Sequence, residues 1–274
     1  MDHDVFAPMT EWPIAHGAAA VFTPTSVLAT TGDTGASFEL ASVTKLFTAA
    51  GCLLAAEELA LDIDAPIDHE LTLADLLAHS SGMHPADSAA RLAEPATRRI
   101  YSNAGYERAA AHIEALTDFG FAEYLSEGVF QMAGMTTARL VGSPAHGGFA
   151  SVDDLVAFVQ TLTRGELLAP RTVERMTTPH RSELIGVLPG YGRQEPNPWG
   201  VGPEIRGTKS PHWTAATNSE ATWGHFGQAG TFVWFDPALG LGCVVLTDEA
   251  FGPWALHRWP ALSARVVAEF GEIL

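Results

Sequence analysis

The segment Glu39–Cys52, ELASVTKLFTAAGC, is the point from which the rest of the fold can be inferred. Most of it has the apolar composition of a buried helix, yet it carries Lys45. The chain has thirteen arginines and only two lysines, Lys45 and Lys209. Burial can lower the pKa of a lysine amine until it accepts a proton near neutral pH, whereas arginine keeps its charge. The segment therefore predicts a buried helix that carries a titratable amine.

Strand patterns lie on both sides of this helix. Residues 18–23 and 26–31 are short strand candidates joined by a tight turn that contains proline. Near the other end of the chain, NPWGVG (197–202), TWGHFGQAGTFVWFD (222–236) and LGLGCVVLTD (239–248) are rich in β-branched and aromatic residues, as neighbouring antiparallel strands are. An amphipathic helix is predicted over residues 254–274.

The middle of the chain is mostly helical in pattern. In residues 72–79 and 151–162, Thr72 and Ser151 are followed three positions later by Asp75 and Asp154, as at capped helix starts. The predicted fold is α/β (α+β), with an antiparallel sheet built from both termini and flanked by helices. Residues 1–45 and 164–274 form this sheet domain, and residues 46–163 form an inserted, mostly helical domain. We expect the active site at the junction of the two.

Composition limits the possible partners. The chain has 274 residues, 47% of them hydrophobic, and a formal charge of -17 without a basic cluster, so nucleic acid and anionic membranes are not expected partners. No apolar stretch has the roughly 20 residues needed to span a bilayer, and no export signal is visible. We expect a cytoplasmic protein, or an exported one if this sequence begins at a mature start. Cys52 and Cys243 are expected to be buried free thiols.

Ser42 and Lys45 are the first candidate catalytic residues. A serine and a lysine three positions apart share one face of a helix, so the amine can reach the hydroxyl. The positive end of the helix also favours negative charge on the serine oxygen. This pair supplies a nucleophile with its own base. The structural alternative is a capping serine followed by a lysine that extends to solvent.

Two further motifs follow in order, Tyr101-Ser102-Asn103 and His225-Phe226-Gly227. With Ser42-x-x-Lys45, they resemble the three active-site motifs of the β-lactamase and penicillin-binding-protein superfamily of serine hydrolases. The resemblance is closest to the class C, DD-peptidase and esterase branches, in which the third motif is His-x-Gly in some members. It extends over roughly residues 39–248 and implies a β-lactamase/transpeptidase-like fold.

The resemblance implies a role for each motif residue. Ser42 is expected to attack a carbonyl carbon and become acylated, while Lys45 accepts its proton or tunes the proton network. Tyr101 is expected to relay protons to the leaving group and from water, with a phenol pKa lowered by neighbouring cations. The alternative for Tyr101 and its motif is a structural turn before the helix predicted at residues 104–116.

The same resemblance implies four substrate-binding residues. Asn103 is expected to hydrogen-bond Lys45 and the acyl side chain of the substrate. His225 and Gly227 belong to the third motif, and the backbone N–H groups of Ser42 and Gln228 are expected to form an oxyanion hole. The glycines at 224, 227 and 230 indicate that either other backbone or a ligand approaches closely. The alternative for His225 is a packed core histidine whose hydrogen bonds are all satisfied.

Competing chemistry lacks support in the sequence. There is no Gly-x-Ser-x-Gly elbow, so His146-Gly147-Gly148 is interpreted as a helix entry and not as an oxyanion loop. The histidine spacings do not match a zinc site, and no glycine-rich phosphate loop occurs. We therefore predict no metal and no organic cofactor.

Three departures from the superfamily pattern favour an esterase. Only 18 residues separate Gly82 from Tyr101, no export signal is visible, and the third motif carries histidine where lysine would hold a substrate carboxylate. We expect His225 to bind a carboxylate only as it gains charge near pH ~6.5.

The predicted function is a serine hydrolase that acts on a small-molecule ester, amide or β-lactam through an acyl-enzyme. D-alanyl-D-alanine carboxypeptidase, D-amino-acid amidase, β-lactamase and a catalytically idle binding relative are the alternatives. The sequence does not indicate an oligomeric state.

Overall fold

A computed structural model describes residues 4–68 and 70–271. Within them the α-helices are α1 (Thr44–Glu58), α2 (Leu73–Leu77), α3 (Asn103–Thr117), α4 (Phe121–Leu125), α5 (Val152–Thr163), α6 (Pro170–Thr177) and α7 (Pro253–Phe270). Short 3-10 turns at Ala7–Glu11 and Ala41–Val43 and a π-helical turn at Ser126–Gln131 complete the helical elements of these residues.

The strands of the same residues are β1 (Gly17–Phe22), β2 (Val27–Thr31), β3 (Phe38–Glu39), β4 (Pro66–Asp68), β5 (Leu71–Thr72), β6 (Arg139–Leu140), β7 (Gly148–Ala150), β8 (Gly186–Leu188), β9 (Gly192–Gln194), β10 (Glu204–Ile205), β11 (Trp223–Gly227), β12 (Thr231–Asp236) and β13 (Leu241–Thr247). Six of them form one sheet in the order β10-β11-β12-β13-β1-β2. Neighbouring strands are antiparallel, and β1 lies between β2 and β13. The sheet is thus assembled from both ends of the chain, as the sequence predicts.

Both faces of the central strands β11, β12 and β13 are buried, which explains their nearly continuous apolar runs. Alternate residues of β1 belong to two different hydrophobic clusters, with Ala18 and Phe22 in one and Val21 in the other. The first cluster contains apolar residues of α1, α3 and α5. The second contains residues of α7, including Trp259. Helices therefore cover the sheet on each side and hold its strands in place.

The helix starts follow the sequence prediction. Thr72 accepts a hydrogen bond from the backbone N–H of Asp75, and Ser151 and Asp154 form a reciprocal capping box at the start of α5. The predicted C-terminal helix is present as α7, and residues 272–274 lie outside the described part of the chain. Cys52 and Cys243 are both buried free thiols, as expected.

Two predicted elements are wrong. Residues 197–202 do not form a regular strand, because Trp199 makes only single bridges to His180 and Glu204. His146-Gly147-Gly148 does not enter a helix, since it is a turn that leads into β7. There the backbone N–H of Gly148 donates to the hydroxyl of Thr44, which fixes this turn against the start of α1.

The division into a sheet domain and a domain spanning residues 46–163 stays a prediction. α5 lies within that range, and it contacts β1 and β13 of the large sheet.

Across residues 4–68 and 70–271, no helix combines the length and hydrophobicity that a membrane crossing requires.

Candidate active site

Ser42 lies in the 3-10 turn that leads directly into α1. The residue at the N-cap of α1 is Val43, which makes no side-chain capping bond, so Ser42 is not the capping serine of the structural alternative. Its position at the helix start exposes its oxygen to the positive end of the α1 dipole. The serine is thus available for chemistry.

Lys45 is completely buried one turn later, with 0% of its surface exposed. Its Nζ lies 2.7 Å from Oδ1 of Asn103, 2.9 Å from the carbonyl oxygen of Ala145 and 3.4 Å from Oγ of Ser42. The alternative of a lysine that extends to solvent therefore does not hold. The amine is held between two oxygen acceptors and faces the serine.

Burial lowers the pKa of Lys45 well below its ordinary value, because a charged amine loses its hydration there. The negative charge of Glu107 acts in the opposite direction but is the smaller effect. Burial therefore favours the neutral amine over the ammonium. This is the property that the sequence suggested and that an arginine would lack.

The segment that carries Tyr101 is fixed by His79, a residue to which the sequence analysis gave no role. The carbonyl oxygen of His79 accepts from the backbone N–H of Ile100 at 2.9 Å, and its Nδ1 accepts from the N–H of Ser102 at 3.1 Å. Ser102 caps α3, which begins at Asn103. Residues 101–103 thus form the entry to α3. They also place the side chain of Asn103 against Lys45 and the side chain of Tyr101 against Ser42.

The ring of Tyr101 packs among aromatic neighbours, with its centroid 4.4 Å from that of His79 and 5.8 Å from that of Trp199. Burial raises the pKa of Tyr101 above its ordinary value, and a hydrogen bond with Ser42 only partly opposes this. The expectation of a phenol pKa lowered by cations is therefore wrong. Lys45 Nζ lies 4.7 Å from the ring centroid, but its own lowered pKa limits the positive charge available there.

His225 is buried on β11, with its ring centroid 6.1 Å from that of Tyr101. Burial lowers the pKa of His225 to about 3. The imidazole is therefore neutral at physiological pH, and the expected titration near 6.5 is wrong. Desolvation of the imidazolium is the physical reason.

The hydrogen bonds of His225 define its tautomer. Nδ1 lies 2.7 Å from the carbonyl oxygen of Phe226 and must carry a proton to donate to it. Nε2 is then an unprotonated acceptor, and it has no hydrogen-bond partner among the described residues. The alternative of a fully satisfied core histidine does not fit this geometry.

Gly227 lets the end of β11 lie against the Ser42 turn. A Cβ at Gly227 would collide with the carbonyl oxygen of Leu40, two residues before the serine. This close approach is what the sequence analysis inferred from the glycines of the segment. It brings Gln228 to the same small cavity as Ser42. The use of the Gln228 and Ser42 N–H groups as an oxyanion hole stays a prediction.

The small cavity has a volume of about 50 Å³ and gathers most of the candidate residues. It is lined by Ser42, Tyr101, Leu188, Pro189, Trp199, Glu204, His225, Phe226 and Gln228. The sequence indicated no role for Ala145, His79 or Glu204. The only sequence signal that could have pointed to Glu204 was the scarcity of lysine, because the second lysine, Lys209, is its partner. Among the described residues, no group of three or more His, Cys, Asp or Glu side chains is placed to hold a metal ion.

Glu204, one of the residues that line the cavity, belongs to a buried ion pair. Its carboxylate lies 2.5 Å from Nζ of Lys209 and 2.8 Å from Nε2 of His212, and it also accepts from the indole of Trp213. Together these interactions outweigh burial and hold the pKa of Glu204 below its ordinary value. Lys209 also lies 5.7 Å from the Trp199 ring centroid, so the pair supports one wall of the cavity.

Ser42 and Tyr101 line one cavity, and the buried amine of Lys45 contacts Ser42. A serine with a neighbouring lysine and tyrosine is a set of groups that serine hydrolases use. A family model described as "Beta-lactamase" matches residues 17–267 of the chain. Because this is most of the sequence, the chain belongs to the beta-lactamase family, as its motifs predicted. Among curated proteins, none matches the chain.

Solved structures agree with this assignment. A crystal structure of a beta-lactamase from Mycobacterium bovis is 44% identical, with a TM-score of 0.94 over 97% of this chain and 99% of that one. A penicillin-binding protein from Bacillus halodurans is 18% identical, with a TM-score of 0.77 over 100% of each chain. EstCE1, described as a hydrolase with promiscuous acyltransferase activity, is 15% identical, with a TM-score of 0.77 over 94% of this chain and 95% of that one. The last two similarities concern the fold alone.

Proposed function

We propose that the protein is an esterase that hydrolyses neutral small-molecule esters through an acyl-enzyme on Ser42. The observation that carries this proposal is the set of contacts around Lys45. A neutral amine has two N–H donors and one lone pair. The two closest contacts of Nζ, at 2.7 Å to Asn103 and 2.9 Å to the Ala145 carbonyl, are both acceptors and use both donors. The third contact, at 3.4 Å, is a donation from Nζ to Oγ of Ser42. In the neutral amine this direction reverses, and the lone pair accepts from the Ser42 hydroxyl.

In the proposed acylation step, Lys45 accepts the proton of Ser42 as Oγ bonds to the carbonyl carbon of the ester. The 3.4 Å separation shortens when substrate binds, as is common for catalytic hydrogen bonds in enzymes without ligand. The negative oxygen of the tetrahedral intermediate is held by the N–H groups of Ser42 and Gln228.

Collapse of the intermediate breaks the bond between the carbonyl carbon and the alcohol oxygen. Tyr101, which keeps its proton because its pKa is raised, donates that proton to the departing oxygen. The ammonium of Lys45 then returns a proton to Tyr101. Deacylation runs through the same groups in reverse, with water in place of the alcohol, and it releases the carboxylic acid.

The state of His225 supports a neutral substrate. A carboxylate-bearing substrate needs a cation near the third motif, and a histidine with a pKa of about 3 does not provide one at neutral pH. Its free Nε2 accepts hydrogen bonds and would repel a carboxylate. Esters without a negative charge avoid this penalty.

A second candidate is β-lactam hydrolysis. The observation that favours it is the 44% identity with the protein from Mycobacterium bovis named a beta-lactamase. D-alanyl-D-alanine carboxypeptidase activity uses the same nucleophile but a substrate that carries a carboxylate, so the neutral His225 counts against it. A catalytically idle relative would bind such molecules without becoming acylated.

Intact-mass spectrometry tests these possibilities. Wild-type protein and Ser42→Ala are incubated separately with a fluorophosphonate and a penicillin, and kcat/KM is then measured for p-nitrophenyl acetate and the same penicillin. We expect fluorophosphonate to add covalently to the wild type only, and the ester to be the better substrate at pH 7.5. Penicillin hydrolysis with the higher kcat/KM would favour the second candidate. Absence of any Ser42-dependent adduct would favour the idle relative.

Ser42→Ala should unfold at nearly the wild-type temperature, because it removes one oxygen from a cavity and no volume from the core.

A further inference from the structure

A second, larger cavity of about 660 Å³ adjoins the catalytic cavity. Tyr101 and Pro189 line both cavities, so the two spaces meet at the tyrosine. The larger one lies between the loop that precedes Tyr101 and the strand β8. Its volume is in the usual range for small-molecule sites, whereas the 50 Å³ beside Ser42 has room for little more than one or two water-sized groups.

The walls of the larger cavity are apolar although they face solvent. Leu92 is 50% exposed and Val187 is 60% exposed, and Ile100 and Ile185 lie half-buried between them. Backbone groups of the floor are already paired, because the N–H of Arg99 donates to the carbonyl oxygen of Ile185 at 2.9 Å. Apolar side chains over a paired backbone favour an apolar ligand.

The arginines at the rim have partners of their own. Nη2 of Arg98 donates to the carbonyl oxygen of Leu92 at 2.8 Å, and Arg193 pairs with the exposed Glu195 at 3.1 Å. The cavity therefore does not depend on an anionic ligand to satisfy these guanidinium groups. A bound ligand would instead remove the exposed side chains of Leu92 and Val187 from water.

The position of Tyr101 determines which part of an ester enters this cavity. In the reaction proposed above, the carbonyl carbon bonds to Ser42 while the leaving oxygen takes a proton from Tyr101. The leaving oxygen must then lie within hydrogen-bond distance of the phenol. Whatever is attached to that oxygen continues past Tyr101, where the larger cavity begins.

We propose that the larger cavity binds the alcohol part of the ester, so that the enzyme selects short acyl groups joined to extended apolar alcohols. This inference rests on the proposed esterase function. The apolar cavity supplies binding energy for the alcohol, while the small cavity at Ser42 limits the acyl group to a size near acetyl. The alcohol contacts act during acylation, because the alcohol has left before deacylation begins.

Two matched ester series test the proposal. The first keeps the acetyl group and varies the alcohol from methyl to butyl to hexyl, and the second keeps ethanol and varies the acyl group from acetyl to hexanoyl. We expect kcat/KM to rise about two- to fourfold per added methylene in the alcohol series, and to fall or stay level in the acyl series. The reverse pattern would overturn the proposal, because it would place the acyl chain in the larger cavity.

A charged substitution in the cavity gives the second test. Val187→Glu is expected to remove most of the preference for hexyl over methyl acetate and to leave the hexanoyl-to-acetyl ratio unchanged. Val27→Glu is the matched control, since Val27 is 51% exposed on β2 and does not line the cavity. The control should keep both ratios. A hexyl preference that persists in Val187→Glu would contradict the assignment of the cavity to the alcohol.

Acyl-enzyme mass separates this inference from the function on which it rests. If no ester acylates Ser42, the esterase proposal itself fails. If acetate esters acylate Ser42 but kcat/KM is independent of the alcohol, the esterase proposal stands and the assignment of the larger cavity is wrong.

Discussion

Nζ of Lys45 lies 2.7 Å from Oδ1 of Asn103, although the two residues are 58 positions apart in the sequence. The contact joins the first turn of α1 to the first residue of α3. It orients the amine so that its remaining contact is with Ser42. Lys45 is therefore aligned with Ser42 by a helix that belongs to a different motif.

Lys45→Arg tests whether the buried amine must titrate. Arginine keeps the positive charge but does not give up its proton in proteins, so we expect kcat/KM for a neutral ester to fall by about 10²-fold or more. Circular dichroism and thermal unfolding check that the variant folds. A folded Lys45→Arg protein with nearly wild-type kcat/KM would show that the lysine has only a structural role.

Tyr101→Phe tests the proton transfer to the leaving group. Loss of the phenol should slow hydrolysis of alkyl acetates by about 10²-fold. It should slow p-nitrophenyl acetate less in the acylation step, because p-nitrophenolate leaves without a proton. The comparison is made by measuring release of alcohol and of p-nitrophenol under single-turnover conditions. Equal losses for both leaving groups would remove Tyr101 from this step and indicate that it only packs against its neighbours.

The neutral state of His225 predicts a flat pH response between pH 5.5 and 8.5. The folded pKa of about 3 lies far below this range, so His225 gains no charge there, and KM for a carboxylate-bearing β-lactam should show no titration from this group. His225→Lys is expected to narrow the ratio of kcat/KM between a neutral ester and that β-lactam, because it supplies an amine that can be charged. His225→Gln is the neutral control. A wild-type KM for the β-lactam that improves on acidification through pH ~6.5, and does not do so in His225→Gln, would refute the neutral histidine.

Gly227→Ala tests the close approach of β11 to the serine turn. The added methyl group would meet the Leu40 carbonyl oxygen, and the resulting shift should lower kcat/KM by about 10²-fold, since an error of about 1 Å in an active site has this effect. Gly120→Ala is the matched control, because a Cβ there has no atom within 4 Å. Ester kinetics and thermal unfolding are measured on both variants. Full activity in a folded Gly227→Ala protein would show that this contact does not set the position of Gln228.

The Glu204–Lys209 pair makes a prediction about stability. Glu204→Gln leaves Lys209 buried without its carboxylate, so the free energy of unfolding should fall by about 3 kcal/mol in urea titrations at pH 7. The double variant Glu204→Gln/Lys209→Met should recover part of this loss. Because the folded pKa of Glu204 is lowered, the stability it contributes is present above its unfolded pKa of ~4.3 and is lost as the pH falls below that value. A Glu204→Gln protein as stable as the wild type would show that the pair is energetically neutral.

The sequence by itself determined the parts of this protein that depend on local geometry. The spacing of Ser42 and Lys45 places them together in the first turn of one helical segment, whatever the rest of the fold does. The capping residues Thr72 and Ser151 fix helix starts by accepting hydrogen bonds from the backbone N–H groups three positions later. The strands around residues 18–31 and 222–248 follow from apolar and β-branched composition, and the family follows from three motifs in order.

Tertiary structure alone decided the charge states and the remaining partners of the site. The acceptor at Ala145 lies 100 residues from Lys45 and is a backbone oxygen, which no side-chain pattern indicates. The lowered pKa of His225 and the raised pKa of Tyr101 both come mainly from burial, and burial depends on which distant segments pack over each ring. The sequence predicted a lowered pKa for Tyr101 because of the cations expected nearby, and an unperturbed pKa near ~6.5 for His225. Desolvation dominates these charges, and only the packed structure determines its extent.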